Sequence, residues 1–198
     1  MWDARYSAPG YLFGTAPAAF LAREGGRLAP GSRVLSVADG EGRNAVWLAR
    51  QGHDVTAFDA SGVAVAKARR LAGEAGVEVA FHKADVAGWD WTPEAFDAVV
   101  AIFIQFAGPE LRAEIFAGIA RTLRPGGLLL LQGYAPRQIA NDTGGPMAPE
   151  NLYTLEMLTA SFAGFAVLHA ADHDAELREG TGHAGRSALV DFVARKPG

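Results

Sequence analysis

Residues 33–50 constrain this chain more than any other stretch, because an apolar strand-like run passes through a small-residue turn straight into a helical run. Val34, Leu35 and Val37 are apolar and β-prone, Gly40 and Gly42 let the backbone turn tightly, and Ala45, Val46, Leu48 and Ala49 recur at helical spacing. A strand-turn-helix of this kind presents free backbone N–H groups at a helix start. Such a site suits an anionic or hydrogen-bond-accepting part of a ligand. Spacing then narrows the ligand. The dinucleotide pattern G-x-G-x-x-G fails, since the positions fall on Ala38, Gly40 and Arg43 and a long cation stands where the third glycine is needed. A phosphate-binding Walker loop fails too, for no Gly-Lys-Ser/Thr follows. Taken alone, the segment also fits an ordinary tight turn.

The 198 residues, 49% hydrophobic and 20% charged, suffice for one good core, so a single domain spanning 1–198 is expected. A net charge of −4 supplies no basic field, which argues against a nucleic-acid partner and for a small-molecule substrate. The chain has no cysteine and its five histidines show no H-E-x-x-H spacing, so no metal site is expected. Apolar runs are strand-sized and the start lacks a basic, then apolar, leader. The expectation is a cytoplasmic protein with no membrane partner; oligomeric state stays open.

Along the chain, residues 2–13 mix aromatics with Gly and Pro and read as irregular, and residues 16–28 read as a helix. Residues 54–58 form a second strand ending at Asp59, 19 residues beyond Gly40 (59 − 40), where a carboxylate accepts the ribose hydroxyls of an adenosine-containing cofactor. The alternative is that Asp59, with Ser61, caps the following helix, 61–75. Residues 77–81 read as a third strand, with Asp85 just beyond it, and residues 96–104 as a central strand buried on both faces. A helix at 109–123 precedes a fifth strand at 128–131. Residues 135–150, rich in Pro, Gly and polar side chains, read as an active-site loop. A helix at 154–162 and strands at 165–169 and 187–194 complete the pattern, with a polar link at 172–186. Alternating strands and helices specify a doubly wound, Rossmann-like α/β sheet of about seven strands, mostly parallel with an antiparallel last strand, and helices on both faces.

With residues 34–44, Asp59, Asp85, residues 96–103 and Leu123-Arg124-Pro125-Gly126-Gly127 in order, the chain resembles class I S-adenosylmethionine-dependent methyltransferases. It is most similar to small bacterial tellurite-resistance methyltransferases of the TehB type. That finer likeness rests on Gly40-Glu41-Gly42-Arg43-Asn44-Ala45, on residues 51–57 and on the aromatic start. Ser36 stands where that family carries an acid, and Ala38 where it carries a glycine. The resemblance implies S-adenosyl-L-methionine as cofactor, with Ala38, Asp39 and Gly40 on its methionine part. Asp59 with Ala60 would meet the ribose, Asp85 and Val86 the adenine, and Ile102 with Phe103 the near edge. Asn44 and Arg43 either bind the methionine end or are first-turn helix residues. Trp2, Arg5 and Tyr11 read as part of a lid within residues 1–30, or as a staple holding the N-terminal segment to the core.

Methyl transfer from a sulfonium needs alignment more than a protein nucleophile. The resemblance implies a small acceptor, an oxyanion such as tellurite or a thiol, met by cationic or hydrogen-bonding groups. The candidates are His183, Arg186, Tyr134 and Thr143, against the alternatives of a surface loop histidine and a salt-bridged strand-start arginine. The competing reading is a catalytically silent S-adenosylmethionine-binding module serving a protein partner.

Overall fold

In the computed structural model, which describes residues 2–198, helix α1 (Trp2–Tyr6) and helix α2 (Ala19–Glu24) precede strand β1 (Arg33–Val37). There follow α3 (Arg43–Arg50), β2 (Asp54–Asp59), α4 (Gly62–Ala75), β3 (Ala80–Lys83), β4 (Phe96–Ile102), α5 (Pro109–Thr122) and β5 (Leu123–Tyr134). Helix α6 (Leu155–Ser161) and strands β6 (Ala166–Glu179) and β7 (His183–Arg195) complete the order. One seven-stranded sheet runs β3-β2-β1-β4-β5-β7-β6. Its first five strands are parallel, β7 lies antiparallel to β5, and β6 lies antiparallel to β7.

Alternation along β1 divides the core. Leu35 and Val37 pack with Val99, Leu129, Ile115, Phe116 and Phe162 on one face. Val34 packs with Leu48, Val55, Val65, Val100 and Leu130 on the other. Both faces are therefore apolar, which is why β4 reads as a near-continuous apolar run, broken only by Asp97. Strand order reverses between β1 and β4, and a ligand crevice is expected beyond the carboxyl ends of the strands at that reversal.

Three local expectations are corrected. Residues 2–6 are helical rather than irregular, because Trp2 stacks on Tyr6 one turn later, with ring centroids 5.6 Å apart, and Arg5 lies over the Trp2 ring. The helix read at 16–28 starts only at Ala19 and tightens into a 3-10 turn at Gly25–Arg27. Its Ala18 N–H is instead taken by the Asn44 side chain at 2.9 Å. Finally, the polar link at 172–186 is a continuation of strands β6 and β7, and only residues 180–182 turn. Strand β6 is the sheet edge, so its outward residues are polar and mimic a loop.

The turn after β1 is held by Gly42, which has φ +94° and whose missing Cβ would sit 2.7–2.8 Å from the Ala68 Cβ and Cα. The absent side chain is what lets α3 and α4 meet. Gly42→Ala is expected to lower stability by about 2 kcal/mol or more, combining left-handed strain with overpacking, read as a lower urea midpoint at unchanged slope.

Candidate active site

A cavity of about 790 Å³ opens at the carboxyl ends of β1, β2, β4 and β5, within the size range of roughly 300–1,000 Å³ usual for small-molecule sites. The turn after β1 forms its floor. Gly40, at φ +62°, turns its N–H to Asp59 Oδ2 at 2.9 Å, while Asp59 Oδ1 accepts the Ser61 N–H at 2.8 Å. Asp59 thus braces the loop and the start of α4, the second of the two roles read from the sequence, and its buried carboxylate also lines the cavity. Burial raises its pKa against those two backbone bonds.

Ser36 and Asp39 form one unit. The Ser36 hydroxyl donates to Asp39 Oδ1 at 2.5 Å, and Asp39 Oδ2 is sealed from solvent without a hydrogen-bond partner. Burial pushes the Asp39 carboxyl up to about 7, against the Ser36 bond, with the neighbouring Asp59 adding to the rise. Asp39 lines the cavity, and a buried carboxylate with one oxygen unpartnered favours a cation nearby.

Of the residues singled out in the sequence, Trp2, Arg5, Ala38, Asp39, Gly40, Asn44, Asp59, Ala60, Asp85, Val86, Ile102 and Phe103 line this cavity. So do Tyr134 and His183. The structure does not bring in Tyr11, Thr143 or Arg186. Tyr11 sits outside over Lys67 and Arg70, because Lys67 Nζ holds the Ala8 and Gly10 carbonyls and fixes that loop away from the site. Arg186 is 72% exposed and pairs with Asp174 on β6 at 2.9 Å. The Thr143 hydroxyl donates to the Arg186 carbonyl and serves to tie down the loop.

Residues 135–150 are fastened by buried Gln138, which donates to Thr143 Oγ1 and the Gly144 carbonyl and accepts the Ala188 N–H. Gly144, Gly145 and Pro146 thereby reach the cavity wall above Tyr134.

Several residues in the wall, and Glu179 behind it, escaped the sequence reading. Tyr6 covers Gly40, its hydroxyl 3.0 Å from where a Cβ would be. Phe13 joins the wall because the Leu12 carbonyl accepts the Thr181 and Gly182 N–H groups, clasping the N-terminal segment to the β6–β7 turn. Gln105 bonds both the N–H and the carbonyl of Tyr134. Glu179, at the end of β6, accepts from Arg43 at 2.7 Å and from the Ala19 N–H at 3.0 Å. The available signal was the pair of polar residues flanking Gly180-Thr181-Gly182, a turn that places positions 179 and 183 side by side. Among the described residues, no helix is long and apolar enough to cross a membrane.

The fold is shared widely. A structure concerned with conversion of a disulfide bond into a thioacetal group during echinomycin biosynthesis aligns over 99% of this chain and 92% of its own, with a TM-score of 0.79 and 22% identity. TehB from Haemophilus influenzae aligns over 98% of this chain and 65% of its own, with a TM-score of 0.74 and 18% identity. At the sequence level, the methyltransferase GfsG of Streptomyces halstedii is 33% identical over 115 residues, 57% of this chain. The chain spans 41% of the length of that curated relative. Residues 34–127 match a family model described as a methyltransferase domain. The segment from 34 to 127, just under half of the chain, is thus similar to a methyltransferase domain, and the fold around it is the one those structures share. The matched segment carries the floor of the cavity, from β1 to the start of β5, while α1, Phe13, the loop at 144–146 and His183 lie outside it.

Proposed function

We propose that the protein transfers the methyl group of S-adenosylmethionine to a small molecule. The observation that carries this reading is the pairing of the orphaned Asp39 carboxylate oxygen with the buried Asp59 carboxylate across one cavity at the strand-order reversal. When bound, S-adenosylmethionine supplies an electrophilic methyl on a sulfonium. Asp39 would hold its ammonium, Asp59 its ribose hydroxyls, and Asp85 and Val86 its adenine, with Arg5 at hand for its carboxylate. Asp85 keeps one oxygen for this purpose, since Oδ1 accepts the Ala87 and Gly88 N–H groups. Tyr6 and Trp2 cover the floor and exclude water, which strengthens each of these polar contacts.

The finer expectation, an oxyanion such as tellurite or a thiol, draws on the likeness to TehB. Arg186 stands outside the cavity and Arg43 is committed to Glu179, so among the described residues Arg5, at hand for the cofactor's carboxylate, is the cation left near the acceptor end. An acceptor that is uncharged on arrival suits it better.

Isothermal titration with S-adenosylhomocysteine tests the cofactor reading, and absence of heat overturns it. The titration has an expected pH dependence. Because Asp39 must give up its proton to hold an ammonium, affinity should strengthen as pH rises from 6 to 8, through about 7. Asp39→Asn should flatten that profile and weaken binding at pH 8.

A further inference from the structure

His183 follows directly on the β6–β7 turn and is held in an aromatic sleeve. Its ring centroid lies 4.2 Å from that of Phe13 and 4.2 Å from that of Phe103, with Tyr134 edge-on at 5.8 Å. Nδ1 is sealed from solvent and faces Glu179 Oε2 at 3.7 Å, which leaves Nε2 as the ring nitrogen on the cavity side. Glu179 cannot drift, for Arg43 and the Ala19 N–H hold its two oxygens. A separation of 3.7 Å closes to a hydrogen bond with a shift of under about 1 Å, and such bonds are commonly long before substrate binds. A Nδ1–H donated to Glu179 leaves the Nε2 lone pair directed at the cavity.

The charged and titratable groups around the ring are Glu179 from β6, Arg43 from α3, Tyr134 from β5 and Arg5 from α1. Glu179 and Arg43 cancel one another at 2.7 Å. Burial lowers the imidazole pKa against the pull of Glu179, so the ring is a free base at neutral pH. Around it the wall is apolar and flat: Phe13, Phe103, Phe106, Leu111 and Pro146. Arg5, Gln105 and Asn151 line the same cavity, and the Tyr134 hydroxyl lies sealed behind the wall without a partner.

We propose that His183 is the catalytic base of this methyltransferase, with Glu179 as its positioning residue, and that the acceptor is a neutral hydroxyl on a flat aromatic ring. The inference rests on the methyl-transfer reading above. In the step, the acceptor oxygen bonds to the methyl carbon as the carbon–sulfur bond breaks and leaves its electron pair on sulfur. The hydroxyl proton passes to His183 Nε2 and from there to water; nothing is oxidised or reduced.

The test compares the full-length protein with its His183→Gln variant on 4-methoxyphenol, a weak acid, and on 4-nitrophenol, which is largely ionised near neutral pH. Isothermal titration with S-adenosylhomocysteine and ¹⁵N NMR of the imidazole run alongside. The expected results are a Nδ1–H tautomer in the wild type and a rate on 4-methoxyphenol that rises with pH through the imidazole pKa found by NMR. His183→Gln should lose that limb and about 10²- to 10⁴-fold in rate on 4-methoxyphenol, yet keep most of its rate on 4-nitrophenol and its affinity for S-adenosylhomocysteine. Equal losses on both phenols, no loss on either, a Nε2–H tautomer, or a wild type that binds S-adenosylhomocysteine but methylates neither phenol overturns the base and leaves the cofactor reading standing. Failure to bind S-adenosylhomocysteine overturns both.

Discussion

Replacing Glu179 by Ala is expected to lower the free energy of unfolding by about 3–5 kcal/mol, because it strands the Arg43 guanidinium in a buried site. The two side chains are only 8% and 7% exposed, and they join the end of β6 to the start of α3. Glu179 also accepts the Ala19 N–H, so its loss frees the entry to α2 as well. Chemical denaturation of the single variants and of Arg43→Met/Glu179→Leu measures this. The double variant should be more stable than Glu179→Ala, since no charge is then left without a partner. The pair also sets an acid limb. Burial alone would raise the Glu179 carboxyl, but the His183 ring and the Arg43 guanidinium outweigh it and hold the group at about 2, below its usual 4.5. A depressed carboxyl contributes stability that is complete above the unfolded value. That contribution should therefore be lost as pH falls from about 4.5 to about 2, and Glu179→Ala should remove this part of the pH dependence.

Asp59→Ala is expected to weaken S-adenosylhomocysteine binding on the order of ten- to a hundredfold through loss of a charge-assisted hydrogen bond. The structure adds a second consequence that spacing alone did not convey. Asp59 accepts the Gly40 and Ser61 N–H groups, and a buried donor left unmade costs about 1–3 kcal/mol each, so the variant should also be markedly less stable. Asp59→Asn separates the two effects. Its amide oxygen can still serve one of those donors, so it should recover part of the stability while still binding the ligand weakly. Calorimetry on both variants, with urea unfolding in parallel, decides the matter. Unchanged affinity in Asp59→Ala would place the ribose elsewhere.

What the sequence made legible followed from period and spacing. The apolar run at 96–102, the β-prone residues of β1 and the glycine turn are local signals, and the strand-order reversal places their ends together. Asp59 and Asp85 could be found because an acid at a strand's carboxyl end has few other places to point. The acceptor end was harder to read because nothing local encodes it. Phe13, Glu179 and His183 meet through the clasp between the Leu12 carbonyl and the β6–β7 turn and through Arg43, which bonds both the Phe13 carbonyl and Glu179, across contacts far apart in the chain. Arg186 was misplaced for a related reason: strand β6 is an edge with a polar outer row, so its extension past 169 looked like a loop. Once that hairpin is extended, the alternation of β7 sends His183 inward and leaves Arg186 on the surface with Asp174.

The clasp between Leu12 and residues 181–182 has a consequence for biosynthesis. A nascent polypeptide that has emerged only as far as α6 already owns the floor of the cavity, five parallel strands and both carboxylates, and Lys67 and Glu41 can already hold residues 8–12, but the Leu12 carbonyl still has no partner. Until the ribosome delivers residue 183 the bowl stands with a gap in its rim, because the histidine that Phe13 and Phe103 enclose comes off the ribosome long after they do.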